Sequence, residues 1–215
     1  MSLGNLEDLF LHELKDTYDA EKRMTKALPK MARAASSEKL QQAFRKHLAQ
    51  TETHVERLER IFKMLNKPAR GKKCMAMTGL IEEGSELMSE AGTEATIDAG
   101  LIGAAQKVEH YEIAAYGTMA TYAELLGLNE AEKLLKQTLA EEKKTDEDLT
   151  QLASSINFQA ENPDSHAEDG ETSSRRGRKG GRSTSNSSGR GRRGGKKDGS
   201  VFSQMGEALS TMVGG

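Results

Sequence analysis

The sequence predicts an all-α protein built on four long helices. Three observations carry that prediction. The 215-residue chain has no Trp, only nine Phe and Tyr together and three Pro, while 30% of it is charged. Such a composition disfavours β-sandwiches and barrels. Apolar residues recur at helical spacing through four stretches of residues 1–158. Turn and cap residues (Ser36-Ser37, Gly127) fall between those stretches.

The first helix is expected over Leu6 to Ala35, with Phe10, Leu14, Tyr18, Met24, Leu28 and Met31 on one side and an interruption at Pro29. Ser37 opens the second, Glu38 to Asn66, which buries Leu40, Phe44, Leu48, Val55, Leu58, Phe62 and Leu65. A basic loop, residues 67–73, leads to a shorter helix over Met75 to Glu90. The third long helix spans Glu94 to Leu126, with Leu101, Ala105, Val108, Tyr116, Met119 and Ala123 inward. Gly127 suits the turn that follows. The fourth runs from Glu130 to Ile156 on Leu135, Leu139, Leu149 and Leu152. Helices of roughly 27–33 residues are about 40–50 Å long. Two hairpins joined by one long crossover carrying an extra short helix give the ferritin-like four-helix bundle.

Charge divides the chain. Residues 1–158 hold 21 Lys and Arg against 26 Asp and Glu, a net of −5, whereas residues 172–197 hold ten basic residues and no acid. That second stretch has no apolar residue to bury and reads as disordered. The expected organisation is therefore a bundle over 1–158, a disordered Arg/Gly/Ser-rich basic linker over 159–200 and a short amphipathic segment over 201–215. The basic stretch has the charge to bind nucleic acid through phosphates, without sequence preference and with steep salt dependence. Residues 201–213 have the pattern of a docking peptide for a protein partner or a shell interior. No apolar run approaches the roughly 18 residues of a membrane span. The polar N-terminus is unlike a signal peptide. A single cysteine, Cys74, excludes an internal disulfide framework and fits a reducing, cytoplasmic compartment.

Polar residues interrupt the apolar stripes. They are Glu21 in the first helix, His47 in the second with Gln50 and His54 nearby, Glu109 and Glu112 in the third, and Glu142 and Asp146 in the fourth. Counted from the hairpin turns, Glu21, Gln50, Glu112 and Glu142 lie at one depth, about 20 Å from the turns at 1.5 Å per residue. One inward Glu is ordinarily a salt-bridged edge residue. Four helices placing polar groups at one level point instead to cations, because isolated buried carboxylates are costly. Carboxylates with one or two imidazoles in a bundle core suit a pair of iron or manganese ions. Five carboxylates, Glu21, Glu109, Glu112, Glu142 and Asp146, offer enough charge for two divalent ions. Tyr18, Tyr111 and Tyr116 lie close in sequence, with core packing as their first role.

The stretches DTYDAEKRMTKALPKMARAASSEKLQQAFRKHL, GLIEEGSELM, AAQKVEHYEIAAYGT and LLKQTLAEEKKTDEDLTQLA resemble the YciF/YciE-type stress proteins over about residues 5–157. That resemblance implies a ferritin-like bundle with a di-metal site holding two Fe or Mn ions, a homodimer in the bacterial cytoplasm, and a part in general stress responses without a settled enzymatic activity. It implies Glu21, Glu109, Glu112, Glu142 and Asp146 as ligands, with His47, read from its place in the second helix, as a nitrogen ligand or an orienter of one. Similar proteins commonly carry Glu where this chain has Gln50. An amide ligates through oxygen but brings no charge, so one of the two metal positions is open to question, with His54 or Glu52 as substitutes. Two functions follow: a di-metal stress protein with peroxide- or oxygen-dependent chemistry, or a non-enzymatic dimeric scaffold brought to nucleic acid by its basic tail.

Overall fold

A computed structural model of the chain describes residues 3–162. The expected basic linker and C-terminal amphipathic segment lie outside the described residues. Five helices follow one another: α1 Leu6–Ala34, α2 Glu38–Met64, α3 Met75–Leu87, α4 Glu94–Leu125 and α5 Asn129–Glu161. Among the described residues no helix is long and apolar enough to cross a membrane.

Each start has a local cause. Asn5, Ser37, Cys74 and Thr93 cap α1 to α4, their side chains accepting a backbone N–H from inside the helix. α5 starts without a side-chain cap after Gly127, whose φ of 69° makes the tight α4–α5 turn that glycine allows. Pro29 does not end α1: Leu28, Met31 and Ala32 around it are buried and hold the last turn in the core. α5 runs five residues past Ile156, the expected end.

α1 pairs with α2 and α4 with α5, while α1 also packs on α4 and α2 on α5. Tyr111 donates to Asp16 and Ser36 N–H to Asp98, so α1 and α4 run antiparallel. Arg57 with Glu141 and Lys46 with Asp148 show the same for α2 and α5. α2 and α4 are therefore parallel, and residues 65–93 must return along the bundle. α3 rides on that return, against α1 and α4. It comes close because Gly100 is bare: a Cβ there would lie 2.7 Å from Leu87 Cδ2. The buried carboxylate of Asp98 accepts from both Ser36 N–H and Ser37 N–H, at 2.8 and 2.7 Å, and ties the α1–α2 turn to the start of α4.

The apolar interior is in two parts. One, around Met24, Leu28, Phe44, Leu101, Val108 and Leu149, lies toward the α1–α2 turn. The other, around Phe10, Leu14, Phe62, Tyr116, Met119 and Leu135, lies toward the α4–α5 turn. Between them sits a layer of buried polar side chains.

Candidate metal centre

Six ionisable residues form that layer: Glu21 from α1, His47 and His54 from α2, Glu109 and Glu112 from α4, and Glu142 from α5, none more than 3% exposed. On a helix, i and i+7 share a face, as do i and i+3. So α2 presents both imidazoles, and α4 both carboxylates, to the same space.

The ligand atoms fall into two overlapping groups, each with all atoms within 4.8 Å of one another: His47, Glu109, Glu112 and Glu142; and Glu21, His54 and Glu142. Glu142 belongs to both. Its Oε1 lies 2.9 Å from His54 Nδ1 and its Oε2 4.0 Å from His47 Nε2, so one oxygen faces each group. His47 Nε2 is also 3.2 Å from Glu109 Oε1, and His54 Nδ1 3.5 Å from Glu21 Oε1. Seven buried atoms of these six residues make no well-directed hydrogen bond: Glu21 Oε2, His47 Nε2, His54 Nδ1, Glu109 Oε2, Glu112 Oε1 and both oxygens of Glu142, although His54 Nδ1 and Glu142 Oε1, and His47 Nε2 and Glu109, stand as ion pairs. Buried polar atoms are nearly always paired. So many poorly satisfied atoms in one layer make a set that could hold a metal ion. Four carboxylates also match the charge of two divalent cations, with both imidazoles neutral.

The far sides of the imidazoles support this. His54 Nε2 lies 2.9 Å from Glu141 Oε2, and Arg57 grips Glu141 with both terminal nitrogens at 2.6 and 2.9 Å. Partial burial works against the Glu141 charge, but Arg57 and His54 outweigh it and hold the carboxyl below its ordinary range. A carboxylate on Nε2–H leaves the Nδ1 lone pair free for a metal, the carboxylate–histidine–metal arrangement. His47 Nδ1 faces the Thr145 hydroxyl at 3.4 Å, and that hydroxyl donates to the Glu141 carbonyl, which leaves Nε2 for the site. Removing such an outer partner weakens metal binding about 10–100-fold. Glu141→Gln is therefore expected to lower metal affinity in that range without changing the helical content, read by competition with a chelator and by circular dichroism.

Without metal the layer is strained electrostatically. Burial, less the help of His47, pushes Glu109 up to about 7. Burial and then the charges of Glu21, Glu142 and Glu109 raise Glu112 well above the carboxylate range. Burial also raises Glu21. For the histidines burial works against the charge, but the carboxylates outweigh it: His47 is raised by Glu109, and His54 goes up to about 10 beside Glu142 and Glu21. Protons take the place that cations would fill.

Of the residues singled out from sequence, the structure thus brings together Glu21, His47, Glu109, Glu112 and Glu142. Asp146 stands in neither group. Gln50 lines a small cavity beside His47 and Glu109. Asp146 is partly exposed, accepts from Gln106 Nε2 at 3.3 Å and lies 3.4 Å from His110 Nε2. His54, weighed from sequence only as a substitute, stands in the second group; its seven-residue spacing from His47 was the available clue. Glu141 and Arg57 had none, because their roles depend on how α2 meets α5. Among the three tyrosines, Tyr116 reaches the layer, donating to Glu21 Oε1 at 2.5 Å. Tyr18 donates to Glu59 and Tyr111 to Asp16.

Comparison with known proteins identifies the family. Residues 5–161 match the family model described as a domain of unknown function, DUF892. The chain is 52% identical over 164 residues to Protein YciF of Escherichia coli (strain K12), covering 75% of this chain and 99% of that protein. The crystal structure of the E. coli stress protein YciF superposes with a TM-score of 0.70 over 73% of this chain and 99% of that one. YcfI of Rhodopseudomonas palustris, titled a putative structural protein, is 42% identical with a TM-score of 0.68, over 69% of this chain and 95% of its own. With an all-helical bundle, and with residues 5–161 matched along nearly the whole of it, the chain belongs to the DUF892 family and is a homologue of the stress protein YciF.

Proposed function

We propose that this chain is a cytoplasmic, dimeric di-metal protein of the stress response, binding two iron or manganese ions in its polar layer and handling peroxide or dioxygen there. The observation that carries the reading is the convergence of ligand atoms from six buried side chains into two overlapping groups, each within 4.8 Å. Carboxylate oxygens with one imidazole in each group suit Fe and Mn, and leave out the thiolates that softer metals favour. Glu109, Glu112 and His47 would hold one ion, Glu21 and His54 the other, and Glu142 would serve both. Two such ions would supply the paired electrons that reduction of a peroxide or of dioxygen requires.

The protein's own part follows from the geometry. Burial of the layer excludes bulk water. Arg57 and Glu141 fix the tautomer and angle of His54. Tyr116, whose hydroxyl is pushed far above its ordinary range by burial and by Glu21, stays protonated and donates to Glu21 Oε1. It thereby leaves Oε2 of Glu21 as the outward donor. Metal analysis by mass spectrometry on the full-length protein, after anaerobic loading with Fe(II) or Mn(II), tests the reading. About two ions per chain are expected, falling in Glu112→Ala, which removes one carboxylate of the four-residue group. A chain that retains no metal after loading overturns the proposal.

A further inference from the structure

Beside the polar layer, between α2 and α5, the bundle holds a cavity of about 30 Å³. Lys46 and Asp148 line it at the surface and pair across the two helices at 3.2 Å. His47 and Glu109, both in the four-ligand group, line it inside. The half-buried amide of Gln50 and the buried thioether of Met24 line it as well. One water needs about 10–15 Å³ of such space. The cavity therefore has room for a molecule of one or two heavy atoms and no more. Gln50 is neutral, so it adds no charge against a neutral visitor, and its amide both donates and accepts hydrogen bonds.

We propose that this cavity is the entrance by which hydrogen peroxide, and no bulkier hydroperoxide, reaches the polar layer, with Gln50 setting its width. The inference rests on the di-metal reading for its purpose, but its test does not. Met24, 1% exposed, records what enters. Peroxide transfers one oxygen to a thioether: the O–O bond breaks, an S–O bond forms, sulfur gives up two electrons, and the sulfoxide and one water result. With tert-butyl hydroperoxide the second product is the alcohol.

The experiment exposes the full-length, metal-free protein to each oxidant and follows every methionine by peptide mass spectrometry. Met75, 68% exposed, reports the strength of the oxidant. Met77 and Met119, both fully buried and away from the cavity, report general breathing. Susceptibility follows access, so hydrogen peroxide is expected to oxidise Met24 roughly tenfold faster than Met77 and Met119. The bulky reagent should oxidise Met75 and spare Met24. Gln50→Ala should admit the bulky reagent to Met24. Ala43→Leu, at another lining position, should slow Met24 oxidation by hydrogen peroxide to the rate of Met77. Equal rates at Met24, Met77 and Met119 overturn the proposal, as does a Met24 that both oxidants reach equally. A second cavity, of about 20 Å³, touches Met24 from the α1–α3–α4 side together with Met31 and Met88. Undiminished Met24 oxidation in Ala43→Leu, in step with Met31 and Met88, would put the entrance there and also overturn it. A chain that passes this test but binds no metal loses only the di-metal reading; one that binds metal but fails it loses only the entrance.

Discussion

Glu142→Ala is expected to empty both metal positions, whereas Glu109→Ala should leave about one ion per chain. Glu142 is the side chain shared by the two ligand groups, with Oε1 beside His54 and Oε2 beside His47. Its loss reduces one group to Glu21 and His54, and the other to His47, Glu109 and Glu112. Glu109→Ala leaves Glu21, His54 and Glu142 intact. The contrast also shows in stability. A ligand bound only by the native state stabilises by about 2.7 kcal/mol at a hundred times its dissociation constant. Metal should therefore raise the Tm of the parent protein, raise it less in Glu109→Ala and leave Glu142→Ala unchanged. Metal analysis of the two variants side by side decides the matter. One ion retained in Glu142→Ala would mean that this carboxylate does not serve both positions.

The metal-free protein is expected to lose stability as pH rises from about 5 to 8. Glu109 titrates near 7 in the fold against an ordinary 4.5, and Glu21 and Glu112 are displaced in the same direction. A carboxyl raised in the native state holds a proton that the unfolded chain gives up. Its contribution is complete below pH 4.5 and disappears as pH climbs through the folded value. For Glu109 alone the change is on the order of a few kcal/mol. His54, at about 10 against 6.5, adds a stabilisation that is complete below 6.5 and fades from there to 10. Asp16 and Glu141 are displaced downward, so their contributions vanish only as pH falls below their ordinary values of 3.8 and 4.5, outside this window. Bound metal reverses the slope: it replaces these protons, binds more tightly as their competition recedes, and releases protons on loading. Thermal melts of chelated and loaded protein across pH 5–8 should diverge. A metal-free Tm that rises over that range would contradict this account.

The fold was largely legible because helical periodicity, Ser37 and Gly127 are local features, and the helix bounds differ from expectation by a few residues. Pro29 was expected to interrupt a helix that still reaches Ala35; Leu28 and Met31, buried on either side of it, carry α1 through to Ala34. The depth of the polar layer was legible by counting from the turns, since rise per residue is constant. Which side chain turns inward was less so. Asp146, one turn beyond Glu142, lies on a part of α5 that opens toward Gln106 and His110. His54 lies two turns from His47 and returns to the same face, while Gln50, between them, lies at the flank of that face. The grip of Arg57 on Glu141 depends on the pairing of α2 with α5, which no single stretch of sequence states.

Cys74 caps α3, its sulfur accepting from Met77 N–H and lying 3.1 Å from the Tyr111 hydroxyl, with no exposed surface. Burial, and then Asp16, push its thiol up. The thiolate is the reactive species, so a sulfur held this way is silent toward alkylating reagents while the crossover is docked. It reacts when the segment around it opens away from Asp19 on α1 and Tyr111 on α4. The one cysteine of the chain is thus a built-in clock: its labelling rate measures how often the start of the crossover helix opens.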